Sequence, residues 1–289
     1  MSRHTLPLWS WGLTAALSTA ILALLVLDPF SEGSHTDLNL ERLRDGKDKA
    51  PLIVLIGSSK LRCAVGFDDE LASALKARGV KARVVRIACP NADYQSLRPA
   101  FAALEGADPA VVLVEAELLL QTRSRMNAPD TLPWRQKARQ TARRWLGHGQ
   151  EHFNDGPDAS AVCGPSPPRP LTPNDLADYR VFLNGLSTST AEDRAPYLEA
   201  LSRLRAHGAR VGLIELTRSP AAADVFPETL GVSARRALAA APGPVVMAPP
   251  QPFPQSAYVD FGHMNDEGRQ RYTAWLIPQL ASLVEPAHD

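Results

Sequence analysis

Two short segments of the sequence carry residue types suited to acyl-ester chemistry. The first is Gly57-Ser58-Ser59, which directly follows an aliphatic run. A hydroxyl at a turn between a strand and a helix is exposed, and backbone N–H groups there point toward a developing negative charge. Small residues end most strands, so this tripeptide alone does not identify an active site. It makes Ser59 a candidate nucleophile.

The second segment contains Asp260 three residues before His263, just ahead of a predicted helix. This spacing can place the carboxylate beside the imidazole, so that Asp260 fixes the tautomer and His263 accepts a proton from a serine. A single Asp-x-x-His motif is more often exposed to solvent, or caps a helix. Asn265 or Asp266 can also cap the helix that follows.

Together, the two segments resemble a known family. Gly-x-Ser after the first strand and Asp-x-x-His-Met-Asn-x-x-Gly near the C-terminus are similar to the motifs of the SGNH (GDSL-like) hydrolase superfamily. The similarity is closest to its envelope branch, membrane-anchored proteins that O-acetylate exopolysaccharides or help to D-alanylate teichoic acids. It covers roughly residues 50–120 and 195–285. The resemblance implies that Ser59 is the nucleophile, His263 the general base and Asp260 its orienting carboxylate, with the Ser59 N–H as one oxyanion donor.

The sequence departs from the family pattern at two other strand ends. Cys89-Pro90-Asn91-Ala92 stands where the family usually has a glycine after its second strand. Val114-Glu115-Ala116-Glu117 stands where many hydrolytic members have Gly-x-Asn-Asp after the third. The oxyanion hole implied by the resemblance is therefore altered or incomplete. Asn91 is the nearby amide that we offer as a substitute donor.

Three charged residues near these turns have open roles. Arg62 is a candidate contact for an anionic acceptor, or an ordinary solvated arginine. Glu115 and Glu117 face the same rim by period-two alternation. They either stand in the cleft or cap the end of a strand.

The hydropathy pattern alternates between strands and helices along most of the chain. Such alternation implies right-handed crossovers and a parallel sheet covered on both faces, with reactive groups gathered where strands end. The predicted fold class is α/β, a three-layer α/β/α sandwich. The predicted strands are 51–56, 82–87, 110–115, 209–214 and 245–247, and the predicted helices are 71–76, 94–104, 196–207 and 266–284.

Residues 121–193 do not follow this rhythm and are predicted to be an insertion in a catalytic domain that spans 50–289. A basic amphipathic segment, 134–146, precedes a loop rich in proline and glycine, 154–173. One interpretation is a surface helix with a flexible loop. The other is a lid, or a basic surface that meets a polysaccharide or a partner protein.

The N-terminal 28 residues are predicted to be a membrane anchor, followed by a polar linker over 29–49. Leu8 to Leu27 contains no charged side chain, and twenty helical residues span about 30 Å, the thickness of a bilayer core. A cleaved signal peptide is the alternative. Because Arg3 lies on the short side, the positive-inside tendency leaves the body outside the cytoplasm. We therefore expect a single-pass inner-membrane protein with a periplasmic domain.

Composition and cysteine content limit the possible partners. Lysine plus arginine equals aspartate plus glutamate, at 31 each, so no net field attracts nucleic acid. The chain has no CxxC or HExxH spacing, and we expect neither a metal nor a cofactor. Three cysteines allow at most one internal disulfide. Cys63 and Cys89 each follow a predicted strand, so they either lie near one another or remain buried thiols.

These observations lead to three functional hypotheses. The first is an envelope O-acetyltransferase that modifies an exopolysaccharide through a Ser-linked acyl intermediate. Its acyl donor would be delivered by a multi-spanning membrane acyltransferase. The second is a carbohydrate or lipid esterase of the same fold. The third is a non-catalytic SGNH-like subunit of a polysaccharide acylation complex, which the altered oxyanion positions favour.

Overall fold

A parallel sheet forms the centre of the computed structural model, which describes residues 17–21, 42–43, 50–89, 98–122, 163, 172–184, 187–188, 190–223 and 245–284. Five strands pair in the order β2-β1-β3-β6-β7, and every neighbouring pair is parallel. The strands are β1 (Leu52–Ser58), β2 (Arg83–Cys89), β3 (Val111–Glu115), β4 (Gln121–Thr122), β5 (Ser187–Thr188), β6 (Arg210–Ile214) and β7 (Val245–Met247).

Helices connect these strands and cover the sheet. They are α1 (Ser59–Ala64), α2 (Asp68–Ala77), α3 (Arg98–Ala107), α4 (Ala116–Leu120), α5 (Pro173–Asn184), α6 (Ala191–Ala206), α7 (Pro220–Ala223) and α8 (Asp266–Val284), with a 3₁₀ turn at Gln255–Ala257. All residues of β1 and β3 are buried, as expected for strands with packed helices on both faces.

Alternate side chains of the central strands pack into two separate hydrophobic cores, one on each face of the sheet. Val54 and Val112 pack on one face with residues of α3 and α6, such as Leu104. Ile53 and Leu113 pack on the other face with residues of α1, α2 and α8. The molecule is therefore the predicted α/β/α sandwich, and its catalytic candidates lie where β1 ends and α8 begins.

Most predicted elements agree with the structure, and α8 has the predicted bounds. Helix α6 begins at Ala191, earlier than predicted, because Thr190 caps it. The Thr190 hydroxyl accepts the Asp193 N–H at 3.1 Å, and the Asp193 carboxylate accepts the Thr190 N–H at 2.8 Å. This reciprocal capping box starts the helix ahead of Pro196.

Strands β4 and β5 form a small antiparallel ladder of their own. Gln121 pairs with Thr188 and Thr122 with Ser187. The chain therefore leaves the main fold and returns to it at the same point. Helix α5 belongs to the segment between the two strands. Most of that segment lies outside the described residues, including the predicted basic helix at 134–146.

The predicted membrane anchor and linker also lie largely outside the described residues. Of residues 1–49 the structure describes 17–21 and 42–43. Leu17 and Ile21 are exposed. Within the described parts of the chain, no helix combines the length and apolar character needed to cross a bilayer.

Candidate active site

The turn that joins β1 to α1 carries Ser59 as the first residue of the helix. We call residues 57–60 the nucleophile turn. Ser58 is the N-cap of α1, and its hydroxyl accepts the Lys60 N–H at 3.2 Å. A Cβ on Gly57 would lie 2.4 Å from the Cβ of Leu61, so the turn packs too closely for any residue but glycine.

Residues 258–265, the histidine loop, are shaped by hydrogen bonds within the loop itself. One carboxylate oxygen of Asp260 accepts the backbone N–H groups of Gly262 and His263, each at 2.7 Å. The Val259 N–H donates to the His263 carbonyl at 3.0 Å. The carboxylate is thus fixed beside the ring by the chain that immediately follows it.

Asn265 joins the histidine loop to α8. Its side-chain oxygen accepts the Gly268 N–H at 3.0 Å, and its amide donates to the Ser256 carbonyl at 2.6 Å. Of the two residues that the sequence offered as caps, Asn265 therefore makes the N-cap contact. Gly268 is required for close packing, because a Cβ there would lie 2.2 Å from the Ala257 carbonyl oxygen.

The nucleophile turn and the histidine loop meet across the sheet edge. The hydroxyl oxygen of Ser59 lies 2.9 Å from Nε2 of His263, and Nδ1 of His263 lies 2.7 Å from Oδ2 of Asp260. An ionised carboxylate only accepts hydrogen bonds, so Nδ1 donates the proton and Nε2 is left to accept one from the serine hydroxyl. The three candidate residues thus form a continuous Ser-His-Asp relay.

The electrostatics of the relay favour a charged Asp260. Burial alone raises the pKa of this carboxyl, but the contact with His263 and the two backbone N–H groups outweigh it, so the pKa is lowered. The side chains of Asp260 and His263 are 46% and 24% exposed. Both side chains are therefore accessible from solvent.

Glu115, at the end of β3, lies under the nucleophile turn and is 1% exposed. Its carboxylate accepts the Ser58 N–H at 2.6 Å and the Ser58 hydroxyl at 3.1 Å, and it pairs with the Lys60 ammonium at 3.0 Å. Burial raises the pKa of Glu115, but Lys60 and the Ser58 donors outweigh that effect and lower it. The sequence left two roles open for Glu115. In the structure it caps the end of a strand and does not stand in the cleft.

Glu117 extends these contacts into a charge cluster, which is buried at Lys60 and Glu115 and half-buried at Glu117 and Arg218. Its carboxylate pairs with both Lys60 and Arg218. Burial lowers the pKa of Arg218 to about 10, so this guanidinium is still charged at neutral pH. The sequence did not indicate Lys60 and Arg218 as part of the site, because no residue near either of them in the sequence identifies its ion-pair partner.

Helix α5 brings an aromatic side chain onto the histidine loop. The Tyr179 ring stacks on Phe261 with centroids 4.6 Å apart, and the Arg218 guanidinium carbon lies 5.7 Å from the Tyr179 ring centroid. Phe261 lies between Asp260 and His263 in sequence. The segment between β4 and β5 therefore contributes directly to the surroundings of the relay.

A disulfide bond joins Cys63 of α1 to Cys163. Cys63 is therefore neither paired with Cys89 nor a buried thiol, which were the two outcomes that the sequence left open. Cys63 lies on the helix after β1 and bonds a residue 100 positions away. Such a separation gives no sequence signal. The bond ties the helix that begins with Ser59 to the segment between β4 and β5.

The remaining predicted site residues are Asn91 and Arg62. Asn91 lies outside the described residues, so its role as an oxyanion donor stays a prediction. Arg62 is 6% exposed, which leaves little of it for an acceptor to reach, and its proposed contact also stays a prediction. In the described ranges, no group of three or more His, Cys, Asp or Glu side chains is arranged to hold a metal ion.

Comparisons with known proteins give remote similarities in structure and none in sequence. No protein-family model and no curated protein matches the chain. The crystal structure of TesA is similar with a TM-score of 0.33 and 13% identity, over 80% of this chain and 99% of that one. The acetyl xylan esterase Est2A from the rumen bacterium Butyrivibrio proteoclasticus has a TM-score of 0.34 and 10% identity, over 80% and 63%. Both similarities are too remote to carry an argument, so the functional assignment depends on the site itself.

Proposed function

We propose that this chain is an SGNH-type acyl-ester enzyme that forms a covalent acyl intermediate on Ser59. The observation that supports this most is the relay, in which Ser59, His263 and Asp260 are joined by contacts of 2.9 and 2.7 Å. A nucleophile within hydrogen-bond reach of a base, itself oriented by a third group, is the general arrangement of covalent acyl transfer.

In the first half-reaction, the Ser59 oxygen attacks the carbonyl carbon of the acyl donor while His263 Nε2 takes the hydroxyl proton. Asp260 stabilises the imidazolium that forms. The tetrahedral intermediate then expels the donor's alcohol or thiol, which receives that proton from His263. The product is acyl-Ser59 with the imidazole neutral again.

In the second half-reaction, a hydroxyl of the acceptor attacks the same carbonyl carbon and gives its proton to His263. Collapse of the intermediate breaks the bond to Ser59, and the serine oxygen recovers the proton. We propose that the acyl group is acetyl and that the acceptor is an envelope exopolysaccharide. The donor would be delivered by a multi-spanning membrane acyltransferase.

The disulfide supports an envelope location. Stable disulfides form in the periplasm and other oxidising compartments and are rare in the cytosol, and Cys63 is bonded to Cys163. The proposal of a single-pass inner-membrane protein with a periplasmic domain rests on this bond and on the uncharged run from Leu8 to Leu27.

Hydrolysis of a carbohydrate or lipid ester is the second candidate, because it uses the same relay with water as the acceptor. The exposure of Asp260 and His263 favours it, since water reaches both side chains. A non-catalytic subunit is the third, and it is favoured by the two altered strand ends, residues 89–92 and 114–117. Glu115 and Glu117 both pair with Lys60, and the relay is complete without them.

The test is turnover of a chromogenic acetyl ester by the full chain in detergent, with and without a glucan or uronan oligosaccharide. We expect ester cleavage, a mass increase of one acetyl group on Ser59, and acetylated oligosaccharide when the acceptor is present. Ser59→Ala should abolish all three. Cleavage without sugar acetylation would favour the esterase, and no acylation of Ser59 with any acetyl donor would overturn the enzymatic proposal.

A further inference from the structure

The buried carboxylate of Glu115 binds the residues on both sides of the candidate nucleophile. It accepts two hydrogen bonds from Ser58, through its N–H and its hydroxyl, and pairs with the ammonium of Lys60. Ser59 is the residue between them. Glu115 therefore fixes the position of the turn, while the Ser59 hydroxyl contacts His263.

Stability alone does not account for this arrangement. Replacing a buried ion pair by well-packed apolar side chains is often neutral or stabilising, because both charges lose their hydration on burial. Lys60 is 8% exposed and Glu115 is 1% exposed, so both incur that cost. A reaction that depends on the exact position of the turn would account for the presence of the Lys60–Glu115 pair.

Geometry is what the proposed reaction requires of this turn. The Ser59 oxygen must stay within proton-transfer reach of His263, now 2.9 Å away, while its backbone N–H faces the developing oxyanion. Misplacement of a reacting group by about 1 Å can cost on the order of a hundredfold in rate. The three contacts of Glu115 oppose that displacement on each side of Ser59.

From these contacts we infer that Glu115 is a positioning residue, which holds Ser59 in the orientation for acyl transfer by fixing Ser58 and Lys60. This inference rests on the proposed function. Glu117 reinforces the arrangement because its carboxylate pairs with Lys60 and with Arg218. The ends of β1 and β3 and the chain after β6 are thereby joined beneath the relay.

The test is Glu115→Gln in the full chain, which keeps the side-chain volume but replaces one acceptor oxygen by an amide donor. Against the chromogenic acetyl ester we expect kcat to fall about 10- to 100-fold with KM changed less than twofold. Labelling of Ser59 by a fluorophosphonate should slow by the same factor. Both are measured below the unfolding transition, so loss of folded protein does not contribute.

Two further variants separate positioning from stability. Asp68→Asn is the matched control, since Asp68 is 2% exposed and pairs with Arg86 but lies on α2, outside the relay. It should lower the melting temperature and leave kcat within twofold. Ser58→Ala keeps the Glu115–Lys60 pair but removes both contacts of the Ser58 hydroxyl, with Glu115 and with the Lys60 N–H, and we expect a smaller loss in kcat of about fivefold.

The outcomes distinguish this inference from the proposed function. If the unmodified chain neither cleaves the ester nor reacts with the fluorophosphonate, the proposed function fails and this inference fails with it. If the unmodified chain is active and folded Glu115→Gln is equally active, or changes only KM, the positioning role alone is overturned. Should Glu115→Gln not fold, an unchanged kcat in folded Ser58→Ala overturns it instead.

Discussion

The nucleophile turn and the histidine loop are held in place by different kinds of contact. The turn depends on Glu115, which is 57 residues away in sequence and buried. In the loop, backbone N–H groups two and three positions after Asp260 donate to its carboxylate, and the side chains of Asp260 and His263 are partly exposed. The candidate nucleophile is thus positioned by a buried residue distant in sequence, and the Asp260 carboxylate by backbone groups close to it in sequence.

This difference determines how each segment should respond to substitution. Changes at Asp260 and His263 in the histidine loop should affect proton transfer while the fold remains intact. Changes around the nucleophile turn should affect stability and rate together, since the same contacts belong to the core. Five variants or conditions test this contrast.

Asp260→Asn should have the largest effect. The amide cannot stabilise the imidazolium of His263 or enforce its tautomer, so we expect kcat to fall about 10³- to 10⁴-fold. Its carbonyl oxygen can still accept the two backbone N–H groups, and the melting temperature should change little. Ester kinetics and thermal unfolding by circular dichroism check both halves of this prediction. A loss below tenfold would remove Asp260 from the relay.

Cys63→Ser should have the next largest effect, on stability. Removing a native disulfide from a small domain typically costs about 2–5 kcal/mol of unfolding free energy. Cys163→Ser should cause the same loss, and the double substitution should be no worse, because all three remove a single bond. Urea titrations measure the losses. Additive losses would show that the two sulfurs are not bonded to each other.

Gly57→Ala should destabilise the nucleophile turn. The added Cβ would lie 2.4 Å from the Leu61 Cβ and 2.9 Å from a Glu115 oxygen, and overpacking of this kind costs about 1–3 kcal/mol. Gly106→Ala in α3 is the control, since nothing lies within 4 Å of its Cβ position. That variant should gain up to about 1 kcal/mol. Equal melting temperatures for the two variants would contradict the close packing.

Asn265→Ala should have a smaller effect, at the junction of the histidine loop and α8. Loss of an N-cap side chain costs about 0.5–2 kcal/mol, and the Gly268 N–H loses its partner. We expect a lower urea midpoint, with the ester kinetics changed less than the stability. A kinetic loss comparable to that of Asp260→Asn would mean that the cap, and not the local hydrogen bonds of Asp260, positions His263.

Acid should produce the smallest and most gradual change. The pKa values of Glu115 and Asp260 are lowered from ordinary values of 4.5 and 3.8. The stability that these carboxylates contribute is therefore complete above those ordinary values and is lost as the pH falls through the lower folded-state values. The melting temperature should be level near neutral pH and fall below about pH 4. The melting temperature of Glu115→Gln should fall less steeply as the pH is lowered. An unchanged slope would show that Glu115 does not contribute to the loss of stability in acid.

The contrast also explains which parts of the molecule the sequence could predict. Asp260 and His263 are three residues apart, so their contact follows from local geometry. The bounds of α8 follow from Asn265 and the apolar spacing beyond it. Buried aliphatic runs such as β1 mark the central strands, and they predict the sheet edge at which Ser59 is found.

The contacts that the sequence did not predict are long-range. The pairing of Lys60 with Glu115, and of Cys63 with Cys163, depends on which strands and segments become neighbours after folding. Tyr179 reaches the histidine loop from a segment that has no regular pattern. Residue types alone marked Glu115 as unusual for its position but left both of its roles open.

The β4–β5 ladder has a consequence for how this molecule can vary. Because Gln121 pairs with Thr188, the two ends of the segment between β4 and β5 are adjacent. Each doubling of the length of such a segment adds only about 0.6 kcal/mol to the entropic cost of closing it. Changing the length of the stretch between the ladder strands should therefore cost little closure entropy, provided that the Cys63–Cys163 bond and the contact of Tyr179 with Phe261 are kept.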